Sequence, residues 1–410
     1  MISKDVFDSQ GKTIAIVGFS ARAASQIAKK AGFDVVAVDV CADRDLICDC
    51  RSHYLLDDPE WPDALNAYYP SAPLLLTGGM EHRTHLVERC HAVANRCGPT
   101  ALQLVSMRSL DNWAKWANSC DIGWPITCRT WQEVLRSEKP HRQRDWLMKP
   151  FQSAGGIGTT ELFCTNASAD DFTKEQSNFY FQKRLPGETI GVTFLSSEFG
   201  STLVGATAAW IPDSKLPGMN YVYCGSYGPV ELTDKQLLKL QHFARTTGNE
   251  SGLLGLWQAD FLRYDGELTL LEINPRWSAS MDILEVCLDA GLVEMHHACI
   301  NMTVGHAIFS KYSNDCIRVS KSTVTVMLGK MIVYANDSFN VTQSQSDEWW
   351  SKRWSCDLGS LLNGCQFADI PCAGTAIAKG DPILTVLTTG CSSESILRKL
   401  QWTRSMISMG

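Results

Sequence analysis

Short apolar segments alternate with helical patterns over residues 13–100, and this alternation constrains the fold more than any other feature of the sequence. The apolar segments are Thr13–Val17, Asp34–Val40 and Leu74–Thr77. Between the first two, a helix is predicted to begin with Ser20 as its N-cap and to end at Gly32. Strands that alternate with helices in this way predict βαβ units around a parallel sheet.

The first turn of this region shares some features with a dinucleotide-binding loop. It reads Gly18-Phe19-Ser20-Ala21-Arg22-Ala23, so it has one of the three glycines of the GxGxxG pattern. Asp39 follows about twenty residues later, where an acid that binds a ribose would lie. Because side chains replace two of the glycines and would block a pyrophosphate, we favour a purely structural Rossmann-like half over NAD binding.

Composition excludes several classes of protein. The chain has 410 residues and a net charge of −7, from 37 basic and 44 acidic side chains, which argues against a broad nucleic-acid-binding surface. The first residues contain no apolar signal-peptide core, and the longest apolar runs are too short to span a membrane, so we expect a cytoplasmic protein with no membrane partner. The sixteen cysteines are scattered without a CxxC pair, and we expect reduced thiols that pack as small apolar side chains.

The strongest candidate site lies on a predicted hairpin. Asp260 is on its first strand, and the second strand ends in Leu271-Glu272-Ile273-Asn274-Pro275-Arg276. Because strand side chains alternate, Glu272 and Asn274 point to the same face. Carboxylate and amide oxygens on one face suit Mg²⁺ bound to phosphates, and Arg276 just beyond them suits a bidentate contact with a phosphate or carboxylate.

The register of this hairpin provides a test of the metal-site hypothesis. A two-residue turn at Asp265-Gly266 pairs Asp260 with Leu271 and sends Glu272 to the opposite face. Asp260 and Glu272 share a face only if the loop is odd, such as Asp265–Glu267, or if a β-bulge intervenes. A metal site at these acids therefore predicts an odd loop or a bulge. The alternative, an exposed hairpin with surface acids, is disfavoured because both acids lie within apolar runs.

Two earlier segments carry residues suited to a phosphate and to a purine. Lys149-Pro150 leaves an apolar strand, and the glycines that follow have bare backbone N–H groups that can close over phosphate oxygens. These glycines are Gly155, Gly156 and Gly158. Further on, Gln182-Lys183-Arg184-Leu185-Pro186-Gly187-Glu188 ends a strand, where backbone groups can meet a purine edge and a carboxylate can meet ribose hydroxyls. Alone, each segment also fits an exposed turn.

Together and in this order, the segments resemble the ATP-grasp superfamily, and the run from Glu272 to Ser280 is similar to the predicted carboligases related to biotin carboxylase. The resemblance implies a fold of mixed α/β and α+β class, with a Rossmann-like N-terminal domain, a two-part ATP-grasp core and a small C-terminal β domain. The implied domains are 1–104, 105–308 (a central subdomain over about 105–186 and a C-terminal subdomain over about 187–308) and 309–410.

The resemblance also implies which residues bind ATP. Lys149 would contact the α and β phosphates, and the glycines would lie in a mobile loop over the triphosphate. Lys183, Arg184 and Leu185 would form a hinge that meets the adenine through backbone groups. Glu188 would meet the ribose. The implied ATP-binding residues are Lys149, Gly155, Gly156, Gly158, Gln182, Lys183, Arg184, Leu185 and Glu188.

The metal-binding and catalytic residues follow from the same resemblance. Asp260, Glu272 and Asn274 would hold one or two Mg²⁺ ions, with Mn²⁺ as an alternative. Arg276 would stabilise the acyl-phosphate or the tetrahedral species that follows it, and Lys149 would also act in catalysis.

The sequence departs from the family pattern at one position. Members often have a lysine after an acid near the start of the central domain, whereas the matching stretch here reads Ser109-Leu110-Asp111-Asn112. Asn112 takes the place of that lysine. Either Lys115 or Arg108 substitutes for it, or one phosphate contact is absent.

These expectations combine into a leading hypothesis, an ATP-dependent carboxylate–amine ligase. ATP would phosphorylate a substrate carboxylate, and an amine would attack the acyl-phosphate to give an amide, ADP and phosphate. The partners would be small molecules, with a homodimer as the expected assembly if the chain associates. A narrower hypothesis is a ligase that adds an amino acid such as glutamate in the biosynthesis of a tetrahydromethanopterin- or methanofuran-type cofactor. Two alternatives stay open: a biotin carboxylase-like ATP-dependent carboxylase that uses bicarbonate, and a nucleotide-binding regulatory protein without turnover.

Overall fold

The computed structural model describes residues 12–92, 97–137, 145–162, 178–210, 221–320 and 326–407, and the statements below refer to these residues. The strands are β1 (Lys12–Val17), β2 (Phe33–Asp39), β3 (Ser52–Leu55), β4 (Leu74–Leu76), β5 (Thr127–Cys128), β6 (Trp146–Pro150), β7 (Thr160–Glu161), β8 (Phe179–Lys183), β9 (Glu188–Ser197), β10 (Gly200–Ala209), β11 (Gly225–Gly228), β12 (Gly255–Tyr264), β13 (Glu267–Asn274), β14 (Met327–Tyr334), β15 (Phe339–Asn340), β16 (Gln366–Ala368), β17 (Ala376–Ile377) and β18 (Pro382–Gly390). The helices are α1 (Arg22–Lys30), α2 (Arg44–Asp49), α3 (Trp61–Tyr68), α4 (Thr84–His91), α5 (Ala101–Met107), α6 (Leu110–Ser119), α7 (Trp131–Ser137), α8 (Asp234–Ser251), α9 (Met281–Leu288), α10 (Leu292–Ile300), α11 (His306–Ser320), α12 (Gln343–Ser351) and α13 (Ser393–Met406).

The N-terminal region forms the parallel sheet that the alternating apolar segments predict. Its strand order is β3-β2-β1-β4, and β1 pairs in parallel with both β2 and β4. Both faces are buried: Ile14 and Ile16 share a core with residues of α1, whereas Ala15 and Val17 pack in a second core with Trp61. The central strands β1 and β2 are mostly apolar and buried because helices cover the sheet on both sides, whereas the edge strand β3 is polar and partly exposed.

The predicted cap of α1 is wrong by one residue. Ala21, not Ser20, is the N-cap, and no side chain caps it. Instead, the fully buried Asp39 at the end of β2 accepts a bond from Ala21 N–H at 3.4 Å and contacts His53 Nε2 at 2.9 Å. Asp39 also accepts from Ala42 N–H at 3.0 Å, so protein groups surround its carboxylate.

Two antiparallel sheets carry the candidate site residues. The four-stranded sheet has the order β5-β8-β6-β7, with Lys149 on β6 and Gln182 on β8. The eight-stranded sheet has the order β13-β12-β9-β10-β11-β14-β18-β16, with Asp260 on β12 and Glu272 on the edge strand β13. A parallel N-terminal sheet followed by these antiparallel sheets confirms the predicted fold class.

The eight-stranded sheet continues from the core into the C-terminal tail. Strands β14, β18 and β16 all follow residue 309 in the chain and extend the sheet beyond β11. The division expected at 104/105 lies within α5, and the one at 308/309 lies within α11. The domain limits stay predictions, and the sheet connects the two sides of the second one.

The C-terminal region, which was expected to be a small β domain, also contains the helices α12 and α13. Helix α12 begins with a capping box at Thr342, and α13 packs Ile396 and Leu400 into the core over β14. Gly329 on β14 makes this close packing feasible, because a Cβ there would lie 2.1 Å from Ile396 Cγ2.

The sequence predicts an amphipathic helix over Thr233–Thr247 that ends near Gly248, and α8 confirms its start and corrects its end. The capping box between Thr233 and Gln236 is formed in both directions. The helix continues past Gly248 to Ser251 and ends at Gly252, which has a left-handed conformation. Gly248 is present for packing, since a Cβ at this position would lie 1.9 Å from Ser201 Oγ.

The glycines and prolines of residues 213–229 predict a long loop, and a strand replaces part of it. Residues 213–220 of that prediction lie outside the described part of the chain. Residues 225–228 form β11, which joins β10 to β14, so the expectation of a loop is wrong there. No helix in the described part of the chain is long and apolar enough to cross a membrane.

Candidate functional site

A β-bulge brings the two acids of the hairpin to the same face. The turn has two residues, with Tyr264 paired with Glu267, and the register shifts between Asp260 and Phe261. Phe261 pairs with Leu270 and Asp260 pairs with Glu272, so Leu271 is the extra residue of the bulge. Of the two arrangements that would place both acids on one face, an odd loop or a β-bulge, the structure has the β-bulge.

The acids and the amide form one hydrogen-bonded cluster. Asn274 Nδ2 donates to Asp260 Oδ2 at 3.0 Å and to Glu272 Oε1 at 3.3 Å. Gln258 Nε2 donates to the other oxygen of Asp260 at 2.8 Å. On the neighbouring strand, Gly191 lies opposite Asp260, and a Cβ there would lie 2.6 Å from Gln258 Nε2. Glycine at this position leaves room for the polar cluster.

The two carboxyl groups have opposite pKa shifts. Burial, together with the neighbouring charge of Glu272, raises the pKa of the Asp260 carboxyl to about 7. Burial alone would also raise the pKa of Glu272, but the charges of Arg108, Lys149 and Arg276 outweigh it and lower this pKa to about 2. Two acids this close favour a shared proton, and a divalent cation can take the place of that proton.

The chemistry of the donor set fits Mg²⁺ through the two carboxylates. Mg²⁺ is commonly held by one or two carboxylates together with substrate phosphates. In the described part of the chain, no group of three His, Cys, Asp or Glu side chains is arranged for a metal. The amide oxygen of Asn274 accepts from Arg276 Nη2 at 3.1 Å, and its nitrogen faces the acids. Metal ligation by Asn274 stays a prediction that requires the amide to turn.

Basic side chains surround this acidic cluster. Arg108, which follows α5, lies 3.6 Å from Glu272 Oε2 and donates to the Ile273 carbonyl at 3.0 Å. Lys149 Nζ donates to Gln182 Oε1 at 3.1 Å. By contrast, Lys115 is exposed and paired with Glu250 at 2.7 Å. Of the two candidates for the missing lysine, Arg108 is the one beside the cluster.

Asn112 has a local role in the chain. Its side-chain nitrogen donates to the Ser106 carbonyl at 2.9 Å and to Ser106 Oγ at 3.2 Å. Its backbone N–H donates to Ser109 Oγ, the N-cap of α6, at 3.4 Å. These bonds fix the connection between α5 and α6, from which Arg108 extends.

The glycine loop between β6 and β7 requires its glycines. Gly155, Gly156 and Gly158 have φ values of 62°, 76° and 79°, in the left-handed region that favours glycine. A Cβ on Gly156 would lie 1.9 Å from the Tyr221 carbonyl oxygen. Tyr223 N–H also donates to the Gly155 carbonyl at 2.8 Å. The loop therefore packs directly on the segment that leads into β11.

The predicted hinge lies at the end of β8. The N–H groups of Lys183 and Arg184 donate to the carbonyls of Ile126 and Asp145 at 2.8 and 2.6 Å. The contact of this hinge with a purine stays a prediction, and the N–H groups of Lys183 and Arg184 already have partners within the protein.

Glu188 begins β9 and is engaged by protein side chains. Tyr227 Oη donates to one of its oxygens at 2.8 Å, and Arg263 Nε donates to the other at 3.0 Å. A contact of Glu188 with a ribose stays a prediction, and it would have to share the carboxylate with these two partners.

Arg276 is held by a buried partner that the sequence did not point to. Arg276 Nε donates to Glu81 Oε1 at 2.9 Å, and the two residues are 7% and 3% exposed. Arg276 Nη1 donates to the Trp277 carbonyl and to Ser278 Oγ at 3.1 and 3.0 Å. With the bond from Nη2 to Asn274, four of its five N–H groups have partners among the described residues. The expected bidentate contact with a ligand would require one of these bonds to break.

Residues 118–280 match the family model of the ATP-grasp domain. The chain contains an ATP-grasp domain. This confirms the resemblance drawn from the ordered motifs, and the matched residues include every predicted site residue from Lys149 to Arg276. No curated protein matches the chain at the level of sequence.

Solved structures share the fold across almost the whole chain. An L-amino acid ligase from Bacillus licheniformis is 11% identical with a TM-score of 0.66, covering 97% of this chain and 98% of its own. A carboxyaminoimidazole ribonucleotide synthase from Aspergillus clavatus, in complex with ATP, is 13% identical with a TM-score of 0.66, covering 97% and 99%. The biotin carboxylase domain of Hydrogenobacter thermophilus 2-oxoglutarate carboxylase, in complex with MgADP and bicarbonate, is 13% identical with a TM-score of 0.69, covering 97% and 90%.

These comparisons give the general class of the protein. ATP-grasp enzymes are ATP-dependent ligases and carboxylases that bind ATP with Mg²⁺ and act on small molecules, so the chain is an enzyme of this type. At these levels of identity, the solved structures establish the fold and leave the substrates to be proposed.

Proposed function

We propose that the protein is an ATP-dependent carboxylate–amine ligase that forms an amide through an acyl-phosphate. The observation that carries this proposal is the bulged pairing of Asp260 with Glu272, which places two carboxylates on one face. Arg108 and Lys149 lie beside them, and we call these two side chains the basic rim. Acidic groups surrounded by arginine and lysine suit a cation bound together with phosphates, because the cation neutralises the acids while the basic side chains contact phosphate oxygens.

The basic rim would position the triphosphate. Lys149 and Arg108 both lie close enough to Glu272 to lower the pKa of its carboxyl group. The ammonium and the guanidinium group are therefore both near the place where the phosphates would bind. The glycine loop would close over the phosphates with its N–H groups and exclude water, which protects an acyl-phosphate from hydrolysis. In this arrangement Arg108 takes over the phosphate contact that the family lysine makes.

Asp260 and Glu272 would hold Mg²⁺, and the ion would supply positive charge against the negative charge that develops during phosphoryl transfer. The residues of the chain fix the geometry around it: Gln258 orients Asp260, and Arg108 orients Glu272.

Arg276 would stabilise the negative charge that develops on the acyl group. Its guanidinium is fixed by Glu81, Ser278 and Asn274, so its orientation is set before the substrates arrive. The fifth N–H group, on Nη2, has no partner among the described residues, and we assign it to a substrate oxygen. A pre-oriented donor stabilises an oxyanion more effectively than a mobile one, since no reorganisation is required during the reaction.

The finer proposal concerns the substrates. A ligase that adds an amino acid such as glutamate in the biosynthesis of a tetrahydromethanopterin- or methanofuran-type cofactor is supported by the resemblance of residues 272–280 to the predicted carboligases. The fold shared with an L-amino acid ligase is in keeping with an amino acid as one substrate.

The test is a screen of carboxylic acids against amines, with MgATP, that measures ADP release. The proposal expects ADP release only when both an acid and an amine are present, and an acid labelled with ¹⁸O should transfer one label to phosphate. ADP release that depends on bicarbonate without an amine would replace the proposal with a carboxylase. Tight binding of ATP without turnover over a broad panel would replace it with a regulatory nucleotide-binding protein.

A further inference from the structure

One turn of the N-terminal region touches both the reaction centre and the glycine loop. This is the 3₁₀ turn Met80–His82, which follows β4. Glu81 Oε1 accepts from Arg276 Nε at 2.9 Å, and the next residue, His82, places its ring Nε2 2.8 Å from the Ser153 carbonyl oxygen. Ser153 belongs to the glycine loop, so two adjacent side chains connect Arg276 to the segment over the triphosphate.

The turn is rigid. It follows Gly79, which has a φ of 88° and packs so closely that a Cβ would lie 2.6 Å from the Phe19 ring. Met80 is fully buried, and Glu81 is 3% exposed. On the other side, Trp277 N–H donates to the carbonyl of Leu76, the last residue of β4, at 2.8 Å. The turn and the segment around Arg276 are therefore fixed to each other.

The glycine loop depends on contacts from other elements to stay in place. Within the loop, Ser153 Oγ donates to the Ile157 carbonyl at 2.5 Å. From outside, Tyr223 N–H donates to the Gly155 carbonyl at 2.8 Å, and His82 contacts the Ser153 carbonyl. His82 is therefore a side-chain contact at the start of the loop. A substitution of His82 removes this contact and leaves the sequence of the loop itself unchanged.

The acceptor identifies which form of His82 is needed. A carbonyl oxygen only accepts, so Nε2 carries the proton and donates it. Burial and the nearby charge of Arg108 lower the pKa of His82, which keeps the ring neutral near pH 7. The sequence Thr84-His85 that follows contains a second histidine, which is exposed and provides a matched control.

We propose that His82 is a positioning residue that holds the glycine loop closed over the triphosphate and links this closure to Arg276 through the Met80–His82 turn. The inference rests on the proposed function, because it assigns the triphosphate to this loop. His82 does not touch the reacting atoms; it acts through the Ser153 carbonyl.

The test compares His82→Ala, His82→Gln and the control His85→Ala with the wild type. The proposal expects His82→Ala to raise the KM for ATP by about five- to tenfold, the size expected for one lost hydrogen bond, and to raise ADP release without product. Since the side-chain amide of glutamine can donate from nearly the position of Nε2, His82→Gln should recover most of the affinity. His85→Ala should match the wild type.

A second measurement does not require known substrates. Hydrogen exchange of a peptide covering residues 151–162 should slow when MgATP binds to the wild type, and slow much less in His82→Ala. An unchanged KM for ATP in His82→Ala, together with wild-type protection of this peptide, would overturn the inference while leaving the proposed function intact. A wild type that binds no MgATP would instead overturn the proposed function itself.

Discussion

Replacing Glu81 with glutamine should destabilise the protein strongly, because it leaves the buried guanidinium of Arg276 without its counter-charge. The pair lies at 2.9 Å, with the side chains of Arg276 and Glu81 8% and 0% exposed. Removing one partner of a buried ion pair costs about 3–5 kcal/mol, since the other charge stays desolvated and uncompensated. The near-isosteric Glu81→Gln keeps the volume of the side chain, so most of this cost comes from the charge.

The chain provides a matched control at its surface. Asp63 and Arg89 lie 2.7 Å apart, but the side chain of Asp63 is 72% exposed. An exposed pair contributes about 0–1 kcal/mol, so Asp63→Asn should change little. Thermal unfolding followed by circular dichroism should give a midpoint lowered by several degrees for Glu81→Gln and an almost unchanged midpoint for Asp63→Asn. Equal midpoints for the two variants would refute the argument that burial determines the value of these ion pairs.

Three further predictions concern the loop, the basic rim and acid stability. Gly156→Ala should raise the KM for ATP at least tenfold in steady-state kinetics, because its Cβ would lie 1.9 Å from a backbone oxygen and its φ is 76°. Arg108→Ala should raise the KM for ATP by about tenfold, the value of one charged hydrogen bond, whereas Lys115→Ala should leave it unchanged. His296 accepts from Leu256 N–H through Nδ1 at 3.0 Å, and burial lowers its pKa to about 4. Because the unfolded chain binds a proton at His296 more readily than the folded protein does, protonation favours unfolding. The free energy of unfolding measured in urea should therefore fall by about 3 kcal/mol as the pH falls from about 6.5 to 4.

Each of these predictions has a contradicting outcome. Gly156→Ala with normal ATP affinity would mean that the loop does not need to pack on Tyr221. A larger effect for Lys115→Ala than for Arg108→Ala would reverse the assignment of the phosphate contact. For the acid sensitivity, His296→Asn keeps an acceptor near Nδ1 without a titrating ring, so its stability should fall less over the same pH range. Identical slopes for His296→Asn and the wild type would remove His296 as the cause.

The hairpin could be predicted from the sequence to an unusual depth. Because side chains alternate along a strand and the Asp265-Gly266 turn has two residues, Asp260 and Glu272 can share a face only if one strand contains an extra residue. The structure places that residue at Leu271. Local chemistry and local geometry were sufficient here because both strands are close in the sequence.

The partner of Arg276 could not be predicted in the same way. Glu81 and Arg276 are 195 positions apart, and their contact depends on how the end of β4 packs against the segment after β13. The sequence signal was slight: an acid and a histidine that follow the Gly78-Gly79 turn after one residue, Met80. The choice between Arg108 and Lys115 likewise depended on the direction in which α6 leaves α5, which a sequence pattern does not specify.

The central claim is that Asp260 and Glu272 bind Mg²⁺ together with ATP, and calorimetric titration of ATP with and without Mg²⁺ tests it most directly. The wild type should bind ATP much more tightly with Mg²⁺, and Glu272→Gln should lose this dependence while its circular dichroism spectrum stays unchanged. Turnover that requires Mg²⁺ should be lost in the same variant. A Glu272→Gln protein that binds and turns over MgATP like the wild type would contradict the account.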